Sequence, residues 1–335
     1  MTQSNLNLPE QTRVSLGTAI VLGLTKGKLD AAPTTAYLMT YKDGKCTANC
    51  GFCPQANGSK SSAEMLSRVT WPSFPTLQLI QALSTTAKNG GIKRVCIQAL
   101  NYPDVFLDLE ALVKVIKKTL DIPVSISCQP INTQNIMQLK NAGTDRIGIA
   151  LDAATEKIFY KLKGADVGGV YSWNKEFCLL EEALKVFGVG NVNTHLIVGL
   201  GETEKEAAVL IQRCVNLSVL PALFAFTPVR GTALEKQSPP SLEAYRRIQL
   251  ARFFLVYGKT SLEKMQFDEA GRILSFGVDK TVLEDVVNSG KPFQTSGCPN
   301  CNRPFYNEKP SGPLYNYPIE LNRKEVEEIK RQLTV

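Results

Sequence analysis

Short apolar runs recur along the chain at 35–41, 92–97, 123–128, 146–151, 192–198, 222–227 and 263–267, with a weaker one at 292–296. Their length and their β-branched and aromatic content predict strands. Helical stretches lie between them, near 75–89, 106–119, 133–142, 175–187, 204–216, 241–257 and 280–289. Asp, Asn, Ser, Thr or Gly punctuates many of the joins, as helix caps require. Strand–helix alternation at this frequency predicts βαβ units and a parallel sheet. Eight candidate strands make the expected fold an α/β, (β/α)8 TIM-type barrel, full or nearly full, with a C-terminal loop extension.

The pattern divides the chain into three parts. Residues 1–33 form an N-terminal helical extension, built on Val14, Leu16, Ile20, Val21 and Leu24 and interrupted by glycines. Residues 34–297 form the barrel. Residues 298–335 form a Cys-containing tail and a final helix. From Cys298 to Pro318 the tail is polar, aromatic and Pro-rich without a helical or strand period, which predicts an ordered functional loop.

Composition narrows the class. The chain has 335 residues, 44% hydrophobic and 21% charged, enough for a sizeable core. Its net charge of +7 is spread along the sequence, which predicts a solvated surface and no nucleic-acid partner. No apolar run reaches the length of a membrane span, and the polar residues 1–11 lack the apolar core of a signal peptide. A cytoplasmic protein without a membrane partner is expected. Nine Cys then point to metal or redox chemistry before disulfides.

Chemistry in such barrels sits at the C-terminal ends of the strands. Cys46, Cys50 and Cys53 follow the first strand at C-x3-C-x2-C spacing. Three thiolates on one short irregular loop suit a [4Fe–4S] cluster with one iron left open. Zinc sites usually take four N/S ligands in paired knuckles, and this loop has three Cys and no nearby His. Cys96 and Cys128 are placed at the ends of strands two and three, and Cys298 and Cys301 after strand eight. Those four thiols form a candidate auxiliary iron–sulfur site. The alternative is a zinc knuckle at Cys298 and Cys301, with Cys96 and Cys128 as core residues. Cys178 and Cys214 fall inside helices, where the helix–barrel contact predicts buried small hydrophobes. His195, the single histidine, lies in strand five as a cluster ligand, a proton relay or a hydrogen-bonded core residue, and Arg230, after strand six, is a candidate for a ligand carboxylate or equally for a surface ion pair.

The Cys loop, with Phe52 just before its last Cys, resembles the signature of the radical S-adenosylmethionine (SAM) superfamily. The resemblance implies that the open iron binds SAM and that reductive cleavage yields a 5′-deoxyadenosyl radical. It also implies that Ile197 and Gly199, in Ile197-x-Gly199-x-x-Glu202, lie beneath the adenine, and that Asp152 meets the ribose; read alone, Asp152 is equally a helix cap for the segment after 155. Gln98 and Asn101 occupy the turn where the superfamily usually carries Gly-Gly-Glu. Arg230 would meet the carboxylate of SAM or of a substrate.

Cys96 and Cys128 sharpen the resemblance to the biotin synthase group, whose second cluster is held by Cys at strands two, three and five and by an Arg. Here Asn193 stands where the third Cys is expected, and Phe267 near the position of the Arg. The tail resembles biotin-synthase-related proteins that include archaeal two-component lipoyl synthases. This implies a sulfurtransferase acting on an octanoylated carrier protein or peptide, with a paralogous partner subunit and an external electron donor. Biotin synthase, or another radical SAM reaction on a small substrate, is the same-class alternative. An iron–sulfur carrier or scaffold, or a zinc-stabilised docking tail, is the reading from another class.

Overall fold

Six of the expected strands form one parallel array in the computed structural model, which describes residues 7–333. The chain enters through β1 (Gln11–Val14) and a short α1 (Leu16–Val21), and reaches the array at β2 (Thr35–Thr40). A small hairpin follows, β3 (Met65–Leu66) and β4 (Val69–Thr70), and then β5 (Ser73–Pro75). From α2 (Thr76–Lys88) onward strands and helices alternate: β6 (Arg94–Gln98), α3 (Val105–Thr119), β7 (Val124–Ser127) and α4 (Thr133–Ala142). The series continues through β8 (Arg146–Gly148), α5 (Glu156–Leu162), α6 (Trp173–Phe187), β9 (Val192–Val198) and α7 (Glu204–Asn216). It ends with β10 (Leu220–Ala225) and α8 (Leu242–Val256).

The hydrogen-bonded order is β10-β9-β8-β7-β6-β2-β1-β5. β2 and β6 to β10 run parallel, whereas β1 lies antiparallel between β2 and β5. The N-terminal segment is therefore not the single helix expected over Arg13–Leu24. Gln11–Val14 pairs along β2, because an uncovered strand edge offers a row of free N–H and C=O groups. A short segment containing glycine gains too little as a helix to compete.

The seventh and eighth candidate strands do not join this sheet. Residues 266–267 form β11 (Gln266–Phe267), which pairs only with β12 (Ile273–Ser275) in a separate hairpin. Lys291–Phe293 is a 3-10 turn between α9 (Lys280–Asn288) and the tail. Neither run offers the length of apolar side chains that would displace water from both faces of a sheet. Among the described residues no pairing joins β10 to β5, and the eight-stranded sheet is mostly parallel rather than wholly so.

The tail occupies the side that those strands would have closed. At the N-terminal ends of the strands, Asn300 O accepts from the hydroxyl of Thr34 (2.6 Å), and Arg94 Nε donates to Pro299 O (3.1 Å). Along β10, the Leu223 N–H donates to Ser296 Oγ (2.8 Å), and Arg303 Nη2 donates to Leu223 O (3.0 Å). At the C-terminal ends, Thr227 Oγ1 donates to Asn307 O (2.6 Å), and Arg68, between β3 and β4, donates to Phe305 O and Glu308 O (2.8 and 2.7 Å). The segment thus climbs from one end of the strands to the other and satisfies part of the open edge on the way.

Every residue of β2 is buried, as a strand covered on both faces requires. Burying one Leu or Ile side chain contributes about 1.5–3 kcal/mol, so the layer between strands and helices dominates the stability. A second apolar cluster joins Leu250 and Phe254 of α8, Val286 and Val287 of α9, and Ile329 and Leu333 of α10 (Arg323–Leu333). Among the described residues no helix is long and apolar enough to cross a membrane.

Candidate active site

The loop after β2 is held from several directions. The Cys46 N–H donates to Gln55 O (3.0 Å), the Cys53 N–H to Cys50 O (3.0 Å) and the Gly51 N–H to Leu162 O (2.7 Å). Lys45 Nζ and the Gln55 amide bind carbonyls of the following segment. The Cys46 sulfur accepts N–H groups from Asn101 (3.1 Å) and Ala48 (3.5 Å).

Beneath this loop lies a cavity of about 200 Å³, the interior of the strand array. Its upper wall includes Phe52, Cys53, Asp152 and Ile197, and its lower wall Cys96, Cys298 and Cys301. Tyr37, Cys96 and Ser125 are register neighbours on three adjacent strands. Tyr37 Oη lies 3.3 Å from the sulfur of Cys301, Ser125 Oγ lies 3.5 Å from that of Cys298, and Gln98 Nε2 donates to Cys96 Sγ (3.2 Å). Three thiols, separated by some two hundred residues of chain, therefore gather on one row of side chains.

Two expectations about these Cys are corrected. Cys96 sits within β6, facing inward, and Cys298 and Cys301 reach it beside strand starts such as Thr35 and Arg94. They do not share the strand-end face of Cys46, Cys50 and Cys53. Cys128 does not join them. It is 4% exposed, belongs to the main apolar core and does not line the cavity. Val124, Ile126 and Cys128, two residues apart, share that core, and Cys128 lies one residue past the end of β7. Cys214 is buried as expected, but Cys178 is exposed. On α6 the inward stripe is Trp173, Phe177, Leu180 and Phe187, and Cys178 lies off it.

Burial pushes the thiols of Cys50, Cys53, Cys96 and Cys301 upward, and neighbouring thiolates add to the effect at each of them. Binding of iron must therefore displace protons and supply positive charge. Among the described residues no three His, Cys, Asp or Glu side chains converge as a single metal ion would need. Thiolates around a cluster bind different irons and need not meet at one point. A cluster therefore asks less convergence of each three-thiol set than a single ion would.

Asp152 is not a helix cap; Thr155 caps α5 by accepting the Ile158 N–H (3.2 Å). Its backbone has φ of 65° and bridges to β9 beside Leu196, which holds its carboxylate at the cavity wall. Lys163 Nζ, 2% exposed, pairs with that carboxylate at 2.9 Å, also binds Ala150 O, and faces Cys50. Nothing in the spacing marks Lys163, because it meets Asp152 only after α5 folds back. Gly199 leaves the strand with φ of 104°, where a Cβ would lie 2.6 Å from Pro240 Cδ. Glu202 accepts the N–H groups of Gly199 (2.6 Å) and Leu200 (3.0 Å) and fixes this turn below the wall made by Ile197.

His195 lines the cavity 4.8 Å from the ring of Phe224, and burial lowers it to about 4, so its imidazole is neutral. Asn193 also lines the cavity, against Gly148. Arg230 is exposed and off the cavity wall, and Phe267 lies in the β11–β12 hairpin. The guanidinium within the cavity is that of Arg303, stacked on Phe224 at 3.7 Å. The inward alternation of Tyr37, Ser125 and Phe224 was a signal that could have marked them; Arg303 and Tyr306 had none beyond the density of the tail.

Glu176, 2% exposed, lies behind Asp152 and Lys163, with Oε2 unpartnered. Desolvation pushes its carboxyl up to about 7, against the attraction of Lys163. The fold thus keeps this proton where the unfolded chain has lost it, and stability falls as pH rises from about 4.3 through 7. Glu176→Gln should remove that slope. Urea unfolding at pH 5 and pH 8 should show the variant gaining on wild type at pH 8 by up to about 3 kcal/mol, at about 1.4 kcal/mol per pKa unit. An equal difference at both pH values would refute the assignment.

The Radical SAM superfamily matches residues 44–214. Biotin synthase 2 of Polaromonas sp. is 28% identical over 247 residues, covering 71% of this chain and 68% of that protein. The biotin synthase of Acidovorax ebreus is 28% identical over 249 residues, 72% of this chain and 67% of that one. Methylornithine synthase (PylB) superposes with a TM-score of 0.51 at 17% identity, over 70% of this chain and 67% of its own. HydG, a maturase of the [FeFe]-hydrogenase, superposes with a TM-score of 0.53 at 13% identity, over 71% and 53%. With the family match spanning half of its length, and biotin synthases among its sequence relatives, the chain belongs to the radical SAM superfamily.

Proposed function

We propose that this chain is a sulfur-inserting radical SAM enzyme, a lipoyl synthase subunit that adds sulfur to an octanoyl chain on a carrier-protein lysine. The observation that carries the reading is one cavity with two separate thiol sets at its walls, Cys53 of the upper loop and Cys96, Cys298 and Cys301 below. Breaking an unactivated C–H bond and then forming a C–S bond requires a radical source and a sulfur source on either side of one substrate.

Cys46, Cys50 and Cys53 would hold the [4Fe–4S] cluster, and Cys96, Cys298 and Cys301 the auxiliary cluster. When bound, the first cluster and SAM supply a 5′-deoxyadenosyl radical, and the second supplies sulfide. The rest is the work of this chain's residues. Asp152, fixed by Lys163, accepts ribose hydroxyl hydrogens, and Ile197, above the turn made by Gly199, offers the adenine an apolar face. Trp71, Leu66 and Phe226 keep water from a reactive carbon and suit an aliphatic chain. Arg230, at the surface, is available to a carboxylate only outside the cavity. An external electron donor, a paralogous partner subunit and a cytoplasmic setting without nucleic acid or membrane belong to the same reading.

Biotin synthase is the second reading, favoured by the identity of the sequence relatives. Anaerobically reconstituted protein, with SAM and reductant, decides between them when given an octanoyl-lysyl peptide or dethiobiotin, each with and without the paralogue. Mass-spectrometric detection of a thiolated octanoyl peptide is expected. Turnover of dethiobiotin alone would establish the second reading, and full lipoyl formation by this chain alone would remove the partner. No 5′-deoxyadenosine under any condition would leave only the carrier or scaffold role.

A further inference from the structure

The lower thiol set is surrounded by guanidinium groups. Arg94, 5% exposed, is locked by donating Nη1 to Ser125 Oγ (2.7 Å) and Nε to Pro299 O (3.1 Å), and its charge faces Cys96 and Cys301. Arg303 faces Cys301 while held by Phe224 and by Leu223 O. Arg146, half-buried, faces Cys298 and Arg94 and lines a small void with Cys298. Arg252 donates to Pro221 O and faces Arg303. Two carboxylates face the group: Asp145 faces Arg146 but is engaged by the Val124 N–H (2.7 Å) and by Lys117 (3.6 Å), and Glu308 faces Arg303 while accepting the Asn316 N–H (3.1 Å). Among the described residues none of the four arginines forms an ion pair with a carboxylate.

Like charges withdrawn from water without counter-ions are costly, so this end of the cavity is built for an anionic occupant. A cluster ligated by thiolates is such an occupant, and it becomes more negative by one unit on reduction. Fixed positive charge then stabilises the reduced form more than the oxidised one. Resting on the proposed assignment of an iron–sulfur cluster to Cys96, Cys298 and Cys301, we infer that Arg94, Arg146 and Arg303 form a cationic cradle that raises its reduction potential. The consequence for the reaction follows from electron balance. With both clusters bound, the substrate hydrogen would leave to the 5′-deoxyadenosyl radical, and the carbon radical would form a C–S bond with a sulfide, leaving one electron on the iron. A raised potential favours that electron transfer, so the arginines act as positioning residues for the electron rather than as contacts of the substrate.

The test is a redox titration of the reconstituted protein followed by electron paramagnetic resonance, comparing wild type, Arg303→Met, Arg303→Lys, Arg146→Gln and the Arg303→Met/Arg146→Gln double variant. In the double variant, at a fixed potential, the oxidised-to-reduced ratio of the lower cluster should rise at least tenfold, which is about 59 mV for a one-electron couple. Arg303→Lys should stay within about twofold of wild type, because it keeps the charge and loses the stacking. The upper cluster should titrate unchanged throughout. Arg146→Gln alone lies outside the tail and reads the same effect if Arg303→Met fails to load. An unchanged lower-cluster ratio in variants with full iron and sulfide content would overturn the inference. Wild-type protein that loads a single cluster would instead overturn the assignment on which it rests.

Discussion

Cys50→Ala is expected to abolish the reductive cleavage of SAM. The three thiols of the loop have no substitutes nearby: among the described residues the upper cavity wall offers Asp152 as its other ionisable donor, and Lys163 already holds that carboxylate. Cys50 lies centrally in the loop, tied by the Cys53 N–H, and its charge couples to both Cys46 and Cys53. Removing an outer-shell partner typically costs about 10–100-fold in metal affinity or activity, and removal of a ligand from a three-thiolate site should exceed that. The measurement is 5′-deoxyadenosine formed from SAM and reductant, beside iron content. Retention of wild-type cleavage would show that this loop does not hold the SAM-binding cluster.

The second large effect separates radical formation from its use. Cys298→Ala/Cys301→Ala should lose the iron and sulfide of the lower site and all sulfur insertion, while 5′-deoxyadenosine is still released. Cys128→Ala should leave both activities near wild type, since Cys128 lies in the apolar core away from the cavity. The contrast tests the geometry itself, because sequence reasoning grouped Cys128 with Cys298 and Cys301. Equal iron in wild type and the double variant would dismiss the lower site. Loss of sulfur insertion in Cys128→Ala, with the protein folded, would restore the four-thiol set.

Much of the framework is local and was legible. The helix over 204–216 is bounded by the Thr203–Glu206 capping box, and the strand over 192–198 by its own composition. The candidate strands at 263–267 and 292–296 misled because short apolar runs carry no information about their partners. Phe267 pairs with Ile273 in a hairpin, and Phe293 packs into the cluster of α8, α9 and α10.

The loop of Cys46, Cys50 and Cys53 was determined by sequence alone, since its three Cys lie within eight residues and their spacing sets which sulfurs can meet. Family membership followed from the same residues. What only the tertiary structure decided is the composition of the lower site. Whether Cys96 or Cys128 faces inward depends on strand register, and a shift of one residue exchanges the two faces. Whether Cys298 and Cys301 reach Cys96 depends on where the tail docks, and that is set by Thr34, Arg94 and Leu223 along an edge left open by two missing strands. Contacts that span the whole chain leave no periodic trace in it, and so the loop of Cys46, Cys50 and Cys53 could be read from the residues while the lower thiol site could not.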